Sequence, residues 1–546
     1  MRVLGISGGL DHDAAAALIV DGVVIAACEE ERLSRKKRAT REAPGRAVQY
    51  CLASARIDPE ELDAIAFSWD PELAQHEPRL QHRLDEVLSL PVLSQLGKTE
   101  VVRVPHHRAH AAAAFFTSGY TESAVLVADG RGEDCSTSIW HGTGARLEHI
   151  HSWSIGQSLG HFYNWVTKYI GFLPGSAGKT MGLAALGKPS YDFPQVELSS
   201  DGYSMRFSSR HEGALGEGVV QACEAQFGPS GRRQIRHVQP WGLDVRISAH
   251  HADAAASAQD VLERAWLHLA TLACGLTGSR NLSLGGGVAL NCAANGKLRP
   301  APPFDDIWIF GAAHDGGSAL GAALEVAARH GEVTTARLPS LLLGPCYEVS
   351  STVDAAVRTG LRVRDAGTAN VAQLIEAGMV GGWFVGRSEY GPRALGGRSI
   401  VARADSVDIV DRINRIKGRE NWRPIAPALS ASEAKRHFDD LRGTAAMVEA
   451  RWLSSQSTMS SIDGLIHQDG SIRPLVIGRE EHPFYELLID VGERIGSQAI
   501  ANTSFNHESE PIVDSPTDAL RTFVSMDLDF LFLDGVLVQK PGCDGA

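Results

Sequence analysis

Val3-Leu-Gly-Ile-Ser-Gly-Gly-Leu-Asp-His-Asp-Ala14 runs directly into Ala15-Ala-Ala-Leu-Ile-Val-Asp-Gly-Val-Val-Ile-Ala-Ala-Cys28, and the reading of this stretch decides the fold. Val3–Ile6 is an apolar run, Gly8 to Asp13 a glycine-led loop, and Ala14–Val20 a second apolar run. Asp21-Gly22 is a hairpin signal, since a two-residue turn between antiparallel strands favours residues that accept positive φ. Val23–Cys28 completes a predicted three-strand opening. The chain then turns charged through Glu29-Glu-Glu-Arg-Leu-Ser-Arg-Lys-Lys37, with a helix expected over 42–56 and a strand over Ala64–Ser68. A second strand-rich block starts at Ser123–Ala128, so the opening pattern is expected to recur. Glycine, strand and helix punctuation follows at Leu282–Leu290 and Ile307–Leu324. Such alternation predicts α/β layers.

At 546 residues the chain exceeds one ordinary core and predicts at least two domains. Thr334–Cys346, with two prolines and no helical periodicity, is the expected boundary, giving domains 1–335 and 346–546. A helix over Asn370–Ala377 and a strand over Val380–Val385 open the second. The 52 basic residues stand against 65 acidic ones, a net charge of −13, and the longest basic cluster is Arg35-Lys-Lys-Arg38. That balance argues against nucleic acid as partner. No window of about 18 apolar residues predicts a membrane span. The N-terminus lacks signal-peptide character, and the eight cysteines form no C-x-x-C pair, so the cytoplasm is the expected compartment.

His106-His-Arg-Ala-His110 precedes an alanine run that favours a helix. His106 and His110 would then share one face at i, i+4, the spacing by which two imidazoles share a metal. His107 with His110 is the alternative pair. Asp129 and Asp315, each at the end of an apolar strand and entering glycines, are candidate further ligands. Such a donor set suits Fe(II), Mn(II) or Zn(II). Gly286 and Gly287, with Asn291 behind them, and Gly316 at a helix start offer backbone N–H groups to a nucleotide phosphate. Tight βα turns need the same glycines.

The second domain holds the densest cationic chemistry: Gly386-Arg-Ser-Glu-Tyr-Gly-Pro-Arg393-Ala-Leu-Gly-Gly-Arg398-Ser399, then Ile416-Lys417-Gly-Arg419-Glu-Asn-Trp-Arg423-Pro-Ile-Ala-Pro427, then Arg473. Arginine forks grip phosphate and carboxylate oxygens in bidentate fashion. Asn502-Thr-Ser504-Phe-Asn506 adds amide and hydroxyl groups. In the first domain His12 lies between two aspartates, where a carboxylate can orient it as a general base. Lys37 is the second catalytic candidate.

Together these segments resemble the NodU/CmcH family of O-carbamoyltransferases. The matching residues are His12-Asp-Ala14, Glu29-Glu-Glu-Arg32 with Arg35-Lys-Lys37, His106-His-x-x-His110, Met181-Gly-Leu-Ala-Ala185 and Gly286-Gly-Val-Ala-Leu-Asn-Cys292. They continue with Gly391-Pro-Arg-Ala-Leu-Gly396, Arg423-Pro-Ile-Ala-Pro427, Asn502-Thr-Ser-Phe-Asn506 and Glu510-Pro-Ile-Val513, in an order that spans nearly the whole chain. Ala15 and Ile425 depart from the family's usual serine and phenylalanine.

The resemblance implies an actin-like ATPase-fold domain, related to threonylcarbamoyl-transfer proteins, followed by a smaller YrdC-like α/β domain. It implies that the second domain converts carbamoyl phosphate and ATP, with Mg2+, into carbamoyl adenylate. The first would pass the carbamoyl group to a hydroxyl of a small natural product, as in antibiotic biosynthesis. It further implies iron held by His106, His110, Asp129 and Asp315. Arg393, Arg398, Lys417, Arg423, Arg473, Asn502 and Ser504 would bind carbamoyl phosphate and ATP. His12 would deprotonate the hydroxyl, and Lys37 would stabilise the leaving phosphate. A tRNA threonylcarbamoyl-transfer-related enzyme and a catalytically silent nucleotide- or metal-binding regulator are the alternatives. Contacts to the acceptor are expected between Asp192 and Ser257, where Asp253 has no assigned role. The sequence is compatible with a homodimer and does not set the oligomeric state.

Overall fold

Asp21 and Gly22 take φ values of 49° and 76°, so the opening hairpin turns as its Asp-Gly pair requires. It joins β2 (Ala15–Val20) to β3 (Val23–Glu29), and β2 pairs antiparallel with β1 (Arg2–Ile6) in the register Arg2 to Val20. β4 (Ala64–Phe67) runs parallel to β1, and β5 (Glu100–Arg103) parallel to β4. The sheet order is β3-β2-β1-β4-β5. The computed structural model describes the chain except residues 9–11, 75–76, 95, 97, 174, 208–214, 232–237, 240–241, 244–247, 334, 455–460 and 542–546. The middle of the predicted 8–13 loop, much of the predicted acceptor region and Cys543 therefore lie outside the described residues.

A second sheet repeats the first in order and direction. β6 (Glu122–Ala128), β7 (Cys135–Thr143) and β8 (Arg146–Ser154) form its antiparallel meander. Strand Asn281–Gly285 lies parallel to β6, and Asp306–Ile309 parallel to it in turn. The helix after β5, His106–Phe116, packs on the second sheet, while the helix after the last strand, Ser318–Arg329, packs on the first. The two helices cross each other through small residues. A Cβ at Gly321 would stand 1.8 Å from the Ala109 carbonyl oxygen, so a glycine sets how close they come. Two repeats with crossing helices between them make the actin-like ATPase fold.

Residues Met1–Ser34 and Arg38–Pro339 form this first unit; Arg35–Lys37 and Ser340–Ala546 form the second. Lys37, expected in the first domain, therefore packs with the second unit. That unit is built on an eight-stranded mixed sheet, the α/β layer expected of a YrdC-like domain. Its order is Arg362–Asp365, Val536–Gln539, Phe530–Leu533, Gly381–Phe384, Arg398–Ala402, Ala499–Ser504, Ala426–Ser430, Leu475–Ile477. Trp383 and Phe532, stacked with centroids 4.8 Å apart, pack at its centre.

Candidate active site and cation cluster

β1, β4, β6 and their parallel partners all end on one side of the first unit, and the chemistry gathers there, as it does at the carboxyl ends of α/β strands generally. Asp129 follows β6, Asp315 follows strand Asp306–Ile309, and the histidine helix begins after β5. His106 Nε2 lies 3.0 Å from His110 Nε2 and 3.4 Å from Asp129 Oδ2. His110 Nε2 is 3.1 Å from the same Asp129 oxygen, and Asp315 Oδ1 stands 3.6 and 3.9 Å from the two imidazoles. The structure thus brings together all four predicted ligands.

Backbone and packing aim these groups. His106 Nδ1 donates to the Ser68 carbonyl at 3.2 Å, which leaves Nε2 to face the aspartates, and Trp69 stacks on the ring. Gly286 has φ +82°, and a Cβ there would come 2.3 Å from the Ala128 carbonyl oxygen, so glycine is needed beside the strand end that carries Asp129. Burial opposes charge on His106, but Asp129 and Asp315 outweigh it and raise its pKa to about 10. Burial, and then the charge on His106, push His110 down. Burial works against ionisation of Asp129, yet the two histidines hold it well below the carboxylate range. Two imidazoles and two carboxylates around one point, with a second shell that fixes the ring orientation, fit a borderline divalent ion.

His107 turns away. Its Nδ1 meets Ser138 Oγ at 2.8 Å, and burial drives its pKa down to about 3. The His107–His110 pairing is thereby excluded: His107 is a neutral core residue. Asn291 is held by its neighbours. Its Oδ1 accepts from Ala294 N–H and Gln259 Nε2, and its Nδ2 donates to Gln259 Oε1. An amide so engaged caps the helix Cys292–Leu298 and keeps one Nδ2 N–H beyond these bonds. Gly287 opens the 3-10 turn that follows Gly286, and Gly316 lies in the turn that starts helix Ser318–Arg329.

Beside this group, His12 Nδ1 lies 3.0 Å from Asp13 Oδ2 and 3.7 Å from Asp315 Oδ2, with a third of its side chain exposed. Burial opposes its charge, but the Asp13 hydrogen bond and Asp315 raise its pKa. Asp253 accepts from Lys188 N–H at 2.8 Å, and Ser257 Oγ accepts from Ser190 and Tyr191 N–H. Asp253 pins the chain before residue 192 to the long helix Ala249–Thr277.

In the second unit, buried Lys417 and half-buried Arg419, Arg423 and Arg473 gather near the exposed Lys37, with Glu508 and Glu420 as counter-charges. Burial, then the repulsion of Arg419, Lys37 and Arg423, push Lys417 well below its ordinary pKa. Burial and Arg423 lower Arg419 to about 9. Arg423 Nη1 lies 3.5 Å from Glu420 and 3.6 Å from Glu508. An excess of partly buried cations suits the binding of a polyanion. Lys417 Nζ donates to the Ser504 carbonyl and to both the carbonyl and Oδ1 of Asn506, so it shapes the 504–506 turn. Asn502 Nδ2 donates to the Ala394 carbonyl and ties the Arg393 loop to the sheet.

Arg398 is a second correction. It is fully buried, its guanidinium donates to the carbonyls of Asp514, Val385, Gly386, Gly397 and Pro345, and it stacks over Phe384. Backbone carbonyls engage all three of its nitrogens and none of it is exposed, so its place is structural. Lys37 donates to the Glu508 carbonyl in the second unit.

Residues 2–81 and 80–324 match the family described as carbamoyltransferase N-terminus, and residues 372–540 the carbamoyltransferase C-terminus. The chain belongs to the carbamoyltransferase family. Nodulation protein NolNO of Sinorhizobium fredii is 34% identical over 99% of this carbamoyltransferase and 83% of its own length. Nodulation protein NolO of Bradyrhizobium diazoefficiens is 34% identical over 80% of this chain and 78% of its own. Among solved structures, HypF of T. kodakarensis covers 61% of the chain and 48% of its own at 14% identity, with a TM-score of 0.38. Among the described residues of the carbamoyltransferase, no helix is long and apolar enough to cross a membrane.

Three residues of these sites have no separate role on sequence grounds. Arg419 carries a usable signal in its densely cationic stretch, and Asn506 in the amide- and hydroxyl-bearing run Asn502–Asn506. Arg38 has none beyond its place at the end of a charged run. Its Nη2 lies 3.0 Å from Asp13 Oδ2.

Proposed function

We propose that this carbamoyltransferase is an ATP-dependent O-carbamoyltransferase that works through carbamoyl adenylate. The observation that carries the reading is the half-buried excess of cations around Arg419, Arg423 and Arg473. Carbamoyl phosphate and water give carbamate and phosphate. Carbamate oxygen then attacks the α-phosphorus of Mg2+-bound ATP, forming the mixed anhydride and expelling pyrophosphate. Both reactants are anions that repel each other, and fixed guanidinium groups lower that repulsion and hold the line of attack. Arg393 would complete this site from its half-buried loop. Lys417 would act through the Ser504–Asn506 turn that it holds.

The first unit would perform the transfer. Asp13 accepts from His12 Nδ1–H, which leaves Nε2 to take the proton of the acceptor hydroxyl. The alkoxide oxygen bonds to the carbamoyl carbon and AMP leaves. His106, His110, Asp129 and Asp315 would hold a divalent ion such as Fe(II), which would supply Lewis-acid chemistry to the adenylate. Gly286, Gly287 and Gly316 line the same strand ends and would admit the nucleotide's phosphate. The acceptor we infer is a hydroxyl of a small natural product.

The test is pyrophosphate release from ATP with and without carbamoyl phosphate, before any acceptor is supplied. Release that requires carbamoyl phosphate, and that falls at least 100-fold in Arg423→Ala, is the expected result. No release from folded, metal-loaded protein would overturn the adenylate route.

A further inference from the structure

His12, Asp13 and Asp315 form a second set of ligand-type atoms beside the first, and the two sets share Asp315. Its Oδ1 faces His106 and His110, whereas its Oδ2 faces His12 Nδ1. His12 Nδ1 and Asp13 Oδ2 are 3.0 Å apart, the separation of neighbouring ligand atoms on a divalent ion bound at about 2.1 Å. A carboxylate divided in this way can face two cations at once, as in centres whose two ions stand about 4 Å apart.

The second set already faces a cation. Arg38 Nη2 lies 3.0 Å from Asp13 Oδ2 and 3.2 Å from His12 Nδ1, the same two atoms, and its Nε lies 3.4 Å from Asp13 Oδ1. Asp13 Oδ2 accepts from both donors. The placement is built into the backbone as well. Arg38 sits in the left-handed region with φ 64°, its carbonyl accepts from Asp13 N–H at 2.7 Å, and its own N–H donates to Glu31 Oε2 at 2.6 Å. At Gly175, with φ +80°, a Cβ would come 2.4 Å from Arg38 Nη1, so the chain leaves room there for the guanidinium.

We propose that Arg38 is the resident second cation of this centre, standing where Asp13, Asp315 and, on loss of its Nδ1 proton, His12 would otherwise take a second divalent ion. The enzyme would then pair one metal with one guanidinium. This deepens the transfer site of the proposed function and rests on that reading for the first ion. A guanidinium in this position keeps its charge at any working pH and needs no loading from solution. It is a positioning residue, because it holds the Asp13 carboxylate that orients His12.

The test is an ion count on the full-length chain, stripped with chelator, re-equilibrated with Mn(II) and gel-filtered. Arg38→Gln should bind one equivalent more than wild type, and adding Asp13→Asn to it should abolish the gain. Millimolar guanidinium should displace the extra equivalent, whereas sodium chloride of equal ionic strength should not. The count is a difference, so it stands whether or not the first set binds an ion, and it separates this proposal from the function it rests on. Arg38→Met, which keeps the aliphatic stem, is measured alongside so that misfolding of one variant leaves the test intact. Equal counts in wild type and both folded variants would overturn the proposal, as would a second equivalent already present on the Asp13 set in wild type.

Discussion

Arg398 and Arg423 look alike in sequence, each an arginine among glycines or prolines, yet burial gives them opposite work. Five carbonyl oxygens surround the Arg398 guanidinium, so deleting the charge leaves them unsatisfied. Each such orphan costs about 1–3 kcal/mol. Arg398→Met should therefore lose at least about 3 kcal/mol of stability in a denaturant melt. Arg423→Ala should unfold near the wild-type midpoint while losing pyrophosphate release. If Arg398→Met keeps the wild-type midpoint and loses only activity, the structural assignment of Arg398 is wrong.

Among elements, helix Gly45–Ala55 shows how one buried acid sets a pH dependence. Its first turn has no acidic residue of its own, and Glu30 supplies the carboxylate from outside, accepting from Ala47 N–H at 2.9 Å. Burial raises Glu30 to about 7, although the Ala47 N–H works the other way. The unfolded chain gives up this proton near the ordinary glutamate pKa of about 4.3, so between that pH and about 7 the folded state binds more protons. Stability from this group is then full below the unfolded pKa and declines as pH rises through 7. Glu30→Gln removes the decline. Its unfolding midpoint relative to wild type should move in favour of the variant from pH 5 to pH 8, and a pH-independent difference would contradict the assignment.

For the whole molecule, the proposal gives the two units separate chemistry. The cation cluster belongs to the second unit and the histidine–aspartate group to the first. Treating the enzyme with a strong chelator and then restoring Mg2+ alone should leave carbamoyl phosphate-dependent pyrophosphate release within about twofold. Carbamoyl transfer to an acceptor should fall with the bound ion. Loss of both activities in parallel would mean that the ion serves adenylate formation instead.

Local order is legible along the chain itself. The Asp21-Gly22 hairpin, the i, i+4 spacing of His106 and His110 and the strand-end glycines depend on neighbours within a few residues, where backbone sterics and periodicity act. What the sequence hides is non-local. Asp129 and Asp315 reach one point only because the repeated sheets and crossing helices bring distant strand ends together. Asn291 looks open on both sides until Gln259, on a different helix, meets its amide, and Arg398 looks like a ligand until five carbonyls close around it. Arg38 is hidden for the same reason: its meaning lies in Asp13, His12 and Gly175, which only the folded backbone sets around it. Short-range chemistry is written along the chain, whereas burial and partnership depend on which distant groups exclude water together.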